Sequence, residues 1–335
     1  MKSLSLLLCM IALTLTSCEE TFFEESLDTN DPYESFDYLW NEIDRKYAYL
    51  DYKGVDWNAL RTKYRAQITP GISDDALFNI MGAMLNELRD GHTNLISSFN
   101  ISRFDVRKLG PENIDFRVIE ENYLPKDYYR TGPFSHDFIA DGQVGYLRFE
   151  AFTGTVDEDN LDFILNRYKD TKGLILDLRQ NGGGDAADIY EILGRFVTTD
   201  VVVYRSYIKS GPGKDEFSEP IEAVAKPKGY VKYLKKVMVL VDRGTYSAGS
   251  FFSLATKALP NLVLIGDTTG GGLGQPNGGQ LPNGWGYRFS ITKTLDLNGN
   301  NYENGVPPDI YSILDKEAAL DGIDTVLERA LDELR

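Results

Sequence analysis

Two strand-to-helix junctions carry residue types suited to an electron-rich or electrophilic group. In one, Leu174-Ile-Leu-Asp-Leu178 runs into Arg179-Gln-Asn-Gly-Gly-Gly-Asp185. In the other, Val237-Met-Val-Leu-Val241 runs into Asp242-Arg-Gly-Thr-Tyr-Ser-Ala-Gly-Ser250. A helix N-terminus offers free N–H groups and the positive end of its dipole, and glycine lets a ligand close on the backbone. A serine at such a turn, here Ser247, is aimed out of the sheet edge as a nucleophile would be. The second turn departs from G-x-S-x-G because position 245 is Thr. Neither turn matches a nucleotide-binding glycine loop. Taken singly, each is better explained as a place where the chain turns.

A serine nucleophile needs a base, and the chain has two histidines. His136, in Phe134-Ser-His-Asp137, stands just before a predicted strand with little around it to suggest a role. His92, in Leu88-Arg-Asp-Gly-His-Thr-Asn94, follows an apolar helix beside a glycine and is the better candidate. Its alternative is a C-cap histidine touching the helix dipole. For Ser247, as for Ser250 and Ser253, the alternative is a small packing residue.

The elements that must hold these residues follow from periodicity. Phe36, Leu39, Trp40, Ile43 and Tyr47 fall at helical spacing, as do Trp57, Leu60 and Tyr64. Ser73 and Asp74 are N-cap candidates before Leu77, Met81, Met84, Leu85 and Leu88. Three helices are therefore expected in a helical domain over 33–95. Residues 96–135 form an irregular connecting segment with short strands. From 136 to 335 strands alternate with helices. The strands expected are Val144–Phe149, Leu174–Leu178, Val201–Ile208, Val237–Val241, Leu262–Ile265 and Tyr287–Thr292, with helices near 157–170, 185–197, 247–259 and 315–334. This alternation argues for an α/β layer fold around a largely buried sheet.

Composition narrows the function. The 335 residues are 42% hydrophobic, 12% aromatic and 26% charged, as in a globular protein of about two domains. A net charge of −16 lacks the footprint of a nucleic-acid binder. Two cysteines and two histidines exclude a Cys/His zinc cluster, and no metal or cofactor is implied.

At the N-terminus, Lys2 precedes an apolar run from Leu4 to Leu15, too short to span a bilayer but right for a signal core. Leu15-Thr16-Ser17-Cys18 resembles the lipobox of bacterial lipoproteins. That resemblance implies a signal over 1–17 removed with Cys9, lipid on Cys18, and attachment to the bacterial cell envelope, at the outer membrane. An ordinary secretory signal with a free Cys18 is the alternative. Residues 18–32 read as an acidic, solvated tether. No other stretch approaches the length of a membrane span.

Four motifs in order carry a wider resemblance: Gly173-Leu-Ile-Leu-Asp-Leu-Arg-Gln-Asn-Gly-Gly-Gly184, Thr245-Tyr-Ser-Ala-Gly-Ser250, Gly266-Asp-Thr-Thr-Gly270 and Gly305-Val-Pro-Pro-Asp309. Over about 136–315 the chain resembles the tail-specific, or C-terminal processing, serine peptidases, and Asp90-Gly-His-Thr93 is similar to members of that family. The resemblance implies a ClpP/crotonase-like layered core beside the helical subdomain. The better-known branch uses a Ser-Lys dyad, but Gly270-Gly-Gly-Leu-Gly274 contains no lysine, and neither Lys257 nor Lys293 matches its position. The chain instead resembles the tricorn-core-like branch, which implies Ser247 as nucleophile, His92 as base and Glu303 as the carboxylate that orients it. The oxyanion is then expected against the N–H groups of Ala248 and Gly183. Asp185 is expected to cap the helix after the glycine loop.

Family members often insert a PDZ domain of roughly ninety residues, whereas about forty separate Thr93 from His136. The function implied is a lipid-anchored serine endopeptidase acting on peptides or unfolded proteins. The alternative is a non-catalytic binding module on the same fold, as in retinoid-carrying proteins of the eye, since a shared fold does not establish activity. A crotonase-like acyl-CoA role is third, because no basic patch is evident for the nucleotide.

Overall fold

The computed structural model describes residues 30–335. The signal expected over 1–17, Cys18 and the expected tether up to residue 29 lie outside the described residues.

Asp31 accepts the Tyr33 N–H at 2.8 Å and Pro32 takes the first helical position, a well-capped start. Four helices follow: α1 (Pro32–Lys46), α2 (Leu50–Lys53), α3 (Trp57–Arg65) and α4 (Asp74–Asn86). The short α2 is additional to the three expected, and Gly54 at φ 65° ends it. The apolar stripes read from the sequence meet in one cluster, with Leu60 half-buried at its edge. Trp40 and Trp57 stack within it, each indole N–H donating to the other residue's carbonyl, at 3.0 and 3.2 Å. The last turn of α4 runs on through Leu88 until Arg89, at φ 49°, turns the chain away.

The connecting segment holds β1 (Asn94–Ile96), β2 (Ile101–Arg103), a 3-10 turn at Val106–Leu109, α5 (Phe116–Asn122) and β3 (Tyr129–Thr131). The alternating region then supplies β4 (Phe134–Ile139), β5 (Val144–Phe149), α6 (Glu158–Tyr168), β6 (Gly173–Asp177), α7 (Ala187–Leu193), β7 (Val201–Ile208) and β8 (Ile221–Ala225). It continues with β9 (Val237–Val241), α8 (Ala248–Thr256), β10 (Leu262–Gly266), β11 (Pro276–Gln280), β12 (Gly286–Ser290), β13 (Thr292–Leu295) and β14 (Ile310–Tyr311). Helices α9 (Lys316–Leu320) and α10 (Thr325–Asp332) close the chain.

The central sheet has the order β14-β10-β9-β6-β5-β4-β3. It is parallel from β14 to β5 and antiparallel beyond. Residues of β5, β6 and β9 are buried throughout, as parallel strands covered on both faces must be. Leu174, Leu176, Val237 and Val239 face α6, α7 and α8. Ile175, Met238 and Leu240 face α5 and α10. This is the expected α/β layering with a helical N-terminal region. A second sheet, β11-β12-β1-β2, lies on the helical cluster, and a third has the order β13-β7-β8.

Three expectations are corrected. The strand expected over 287–292 is two strands in different sheets, because Ile291 leaves the β12 ladder to bond Gln275 and Lys209. The helix expected over 315–334 is broken at Gly322, φ 82°, and Asp324 recaps it through the Val326 and Leu327 N–H groups. His136 lies within β4 rather than before a strand.

Candidate active site

The two junctions are bound to each other before any ligand is considered. Asp242 Oδ1 accepts the N–H groups of Gln180, Gly244 and Thr245 at 2.8, 2.9 and 3.1 Å, and its Oδ2 accepts from the Gln180 side chain. Thr245 Oγ1 donates to the Leu178 carbonyl at 2.8 Å. Asn181 donates to the Phe149 carbonyl, accepts the Gly183 N–H, and through its own carbonyl takes the Tyr246 N–H. Beneath them, Arg179 is fully buried between Asp177, at 2.6 Å, and Asp324, at 2.9 Å. Asp185 accepts the N–H of Ala187, the first residue of α7, at 2.8 Å, but it stands one position before the N-cap, which is Ala186.

Ser247 stands at the head of α8 with φ 53° and ψ −118°, a conformation costing about 1–3 kcal/mol for a residue with a Cβ. The surroundings enforce it. Its N–H donates to the Gly271 carbonyl at 3.0 Å, and Gly183 packs so closely that a Cβ there would sit 2.7 Å from the Ser247 Cβ. Gly271 is equally constrained, since its Cβ would lie 1.9 Å from the Glu303 carbonyl oxygen. Ser250 and Ser253 direct their hydroxyls to the carbonyls of Thr245 and Gly249 and are packing residues.

His92 Nε2 lies 3.0 Å from Ser247 Oγ. The histidine is six residues past the end of α4, so it is not a cap on that helix. Its ring leans on Tyr246, with centroids 4.9 Å apart. Burial holds its pKa below the ordinary histidine value; Asp90 opposes that effect, Arg288 adds to it, and the Gly274 backbone favours protonation. A neutral imidazole at neutral pH is the form able to accept the serine proton.

Asp90 is buried beneath this pair. It accepts the His92 N–H at 2.7 Å, the Tyr47 hydroxyl at 2.7 Å and the Tyr246 hydroxyl at 3.1 Å. Burial pushes its carboxyl up, but the charges of His92 and Lys53 and these hydrogen bonds outweigh it and hold it below the usual carboxylate range.

The structure departs from the expected triad at Glu303. Its Oε2 accepts the Leu273 N–H at 2.6 Å, while among the described residues no hydrogen bond of ordinary length reaches its Oε1 or the His92 Nδ1. Glu303 therefore makes no hydrogen bond to His92. Burial first, and then the Asp90 charge, push its carboxyl well above its ordinary value. Leu273, which donates to Glu303, is followed in the chain by Gly274, whose backbone favours the protonated form of His92.

The expected oxyanion donors divide in the same way. No hydrogen bond among the described residues uses the Ala248 N–H. The Gly183 N–H is already donated to Asn181 Oδ1 at 2.9 Å, whereas those of Gly182 and Gly184 have no acceptor among the described residues.

The other candidates lie apart. His136 is a satisfied core residue, with Nδ1 on the Tyr168 hydroxyl at 2.6 Å and Nε2 on Thr131 at 2.9 Å, and burial pushes its pKa down to about 4. Lys257 pairs with Asp309 at 3.7 Å, and Lys293 lies over the Phe217 ring. No group of His, Cys, Asp and Glu among the described residues is arranged to hold a metal. Asp90 and Tyr246 are site residues to which sequence reading assigns no role. The available signals were adjacency alone: Asp90 two before His92, Tyr246 next to Ser247.

A strained serine at a strand-to-helix turn, with a buried histidine on its hydroxyl, gives the arrangement of a serine hydrolase. Residues 143–312 match peptidase family S41, and residues 28–86 match the tricorn protease C1 domain. The chain belongs to peptidase family S41, a family of serine peptidases. A presumed peptidase from Parabacteroides merdae ATCC 43184 is 36% identical with a TM-score of 0.88, over 91% of this chain and 97% of that one. The carboxy-terminal processing protease CtpA of Bacillus subtilis (strain 168) is 24% identical over 224 residues, 66% of this chain and 45% of that protein. CtpB of the same organism is 28% identical over 169 residues, 50% of this chain and 33% of that protein. The chain thus spans less than half the length of these two relatives. Mature CPAF, 13% identical with a TM-score of 0.67 over 90% of this chain and 98% of its own, shares the fold.

Proposed function

We propose that this protein is a serine endopeptidase of peptides or unfolded proteins, with Ser247 as nucleophile and His92 as general base. The observation that carries the reading is the 3.0 Å contact between Ser247 Oγ and a neutral, buried His92 Nε2. Ser247 attacks the peptide carbonyl while His92 takes its proton, and His92 then returns that proton to the leaving amine. The Ala248 N–H receives the oxyanion, with a second donor from the N–H groups of Gly182 and Gly184. One such donor contributes about 3–4 kcal/mol to the transition state. The Asp90 charge stabilises the imidazolium as it forms. Glu303 Oε1 is the acceptor that the His92 Nδ1–H requires once substrate closes the site, since catalytic hydrogen bonds often tighten only then.

The reading extends to a mature chain carried by lipid on Cys18 at the cell envelope, on the outer membrane. This part rests on the lipobox-like Leu15-Thr16-Ser17-Cys18. Loss of fatty-acid labelling and of membrane association in Cys18→Ser is its expected outcome. Retention of both in the variant overturns it.

The activity is tested with soluble protein from Glu19 onward and a diverse peptide library, reading new termini by mass spectrometry. Cleavage that disappears in Ser247→Ala is expected. Cleavage that persists removes Ser247 as nucleophile, and none by either protein favours a binding module on this fold.

A further inference from the structure

The sheet β11-β12-β1-β2 has two unlike faces. Leu95, Tyr287 and Ser102 are in register across β1, β12 and β2 and point toward the helical cluster, where Ser102 Oγ lies against Gly82 of α4. Alternation along the strands sends their neighbours to the open side. There the register forms one row, Gly278, Arg288, Asn94 and Arg103, and beside it a second, Gln280, Gly286, Ile96 and Ile101. Ile96 is 39% and Ile101 61% exposed.

Most arginines of this protein have an acidic partner. Arg61 and Arg65 share Asp37, Arg107 has Asp105, and Arg205 has Glu222. Arg103 and Arg288 are exposed, and their side chains, like those of Arg45 and Arg89, have no ion pair or hydrogen bond among the described residues; only Arg103 and Arg288 share one row of a sheet. Two inter-strand steps separate them, about 9–10 Å, with Asn94 between. The middle of the row is tied to the site. Asn94 is two residues from His92 and donates its side-chain N–H to the Gly91 carbonyl at 2.9 Å, and the Arg288 charge is felt at the His92 ring.

We propose that this open face is a substrate subsite, where a peptide entering the Ser247–His92 pair places an acidic side chain between Arg288 and Arg103 and an adjoining apolar residue on Ile96 and Ile101. It rests on the peptidase reading and deepens it. A guanidinium pairs with a carboxylate through two parallel hydrogen bonds, and a pair of them left free offers a site of matched charge. In a chain of net charge −16 such a local field selects where an acidic residue can sit, against repulsion elsewhere. The occupant is a side chain rather than a chain end. The face runs on from the arginine row to Ile96 and Ile101 instead of closing, so nothing obliges the peptide to stop there.

The test uses one peptide scaffold with Asp or Glu, or Asn or Gln, placed in turn at each position, each with a free or an amidated C-terminus. Cleavage is measured at about pH 8, above the ordinary titration of histidine, for wild type, Arg288→Gln, Arg103→Gln, the double variant, and Arg205→Gln as a remote control. The expected result is a preference for acid over amide of at least tenfold in kcat/KM at one position. It collapses in the double variant, persists in Arg205→Gln, and is indifferent to amidation. No acidic preference in wild type, or a preference kept by the double variant, overturns the proposal, as does one that follows only the free C-terminus. Anisotropy with Ser247→Ala protein separates the two readings. Arginine-dependent binding of acidic peptides that are never cleaved leaves the subsite standing and removes the peptidase, whereas absence of both binding and cleavage removes both.

Discussion

Ser247 Oγ and His92 Nε2 lie 3.0 Å apart although 155 positions separate the two residues in the chain. The serine is held by the parallel sheet and its glycine loops. The histidine is delivered by the helical region, on the segment between α4 and the second sheet. Each region alone holds half of the reacting pair, so its geometry depends on how they pack.

The depressed pKa of His92 sets a pH profile. Burial disfavours the imidazolium, so kcat/KM is expected to stay flat near neutrality and to fall only below the ordinary histidine value of about 6.5. Removing the cation in Arg288→Gln moves this acid limb upward, and removing the anion in Asp90→Asn moves it downward. The linkage to stability has one sign. His92 binds its proton less readily folded than unfolded, so its contribution is complete above about pH 6.5 and is lost as the pH falls toward the folded value. A pH-rate profile of the three proteins checks the order, and a limb above the ordinary value in wild type contradicts it.

Two buried carboxyls, Asp90 and Glu303, lie around His92, and the amide variants Asp90→Asn and Glu303→Gln tell their effects apart. Glu303→Gln is expected to lower kcat by on the order of 10²-fold or more if Oε1 receives the Nδ1–H in the working complex. Wild-type kcat in Glu303→Gln would leave Asp90 as the sole carboxylate acting on the base. Thermal melting of both variants excludes a simple folding defect.

Gly183→Ala puts a Cβ 2.7 Å from the Ser247 Cβ and 2.8 Å from the Ala248 nitrogen, at φ 92°. The strained backbone costs about 1–3 kcal/mol, and the contact displaces the nucleophile. A lower Tm together with at least a tenfold loss of kcat/KM is expected. Unchanged kinetics would show that the nucleophile tolerates a shift of this loop.

Arg179→Met leaves Asp324 buried without its cation and Asp177 with Arg148 alone, at 3.5 Å, a loss of about 3–5 kcal/mol in urea unfolding near pH 7. Burial pushes Asp177 up, but Arg179 and Arg148 outweigh it and hold it below the carboxylate range. In wild type the stability this gives is complete above the unfolded value and lost as the pH falls through the folded one. Without the arginine Asp177 loses the first of those two charges, so the gap between variant and wild type should narrow on acidification.

The elements most legible in the sequence were the buried strands. Val144–Phe149, Val201–Ile208 and Val237–Val241 were read with their observed ends, because their β-branched and apolar runs have no competing pattern. Pro276-Asn-Gly-Gly-Gln280 was not read as a strand, since it has no apolar alternation and forms β11 only by pairing with β12. The division of 286–295 between two sheets was equally hidden: the local sequence is continuous, and the exit of Ile291 is set by bonds to Gln275 and Lys209.

At the site, the sequence by itself determined the inventory. With two histidines in the chain and a serine placed at the start of the helix after a glycine-containing turn, Ser247 and His92 stand out by type, position and motif order. The tertiary structure alone decided their contact, the seat of charge at Asp90, the raised carboxyl of Glu303 and the commitment of the Gly183 N–H to Asn181. Residue identity states which groups can donate, accept or ionise. Which of them do is set by burial and by distances of a few ångströms between segments far apart in sequence, and those exist only once the chain has packed.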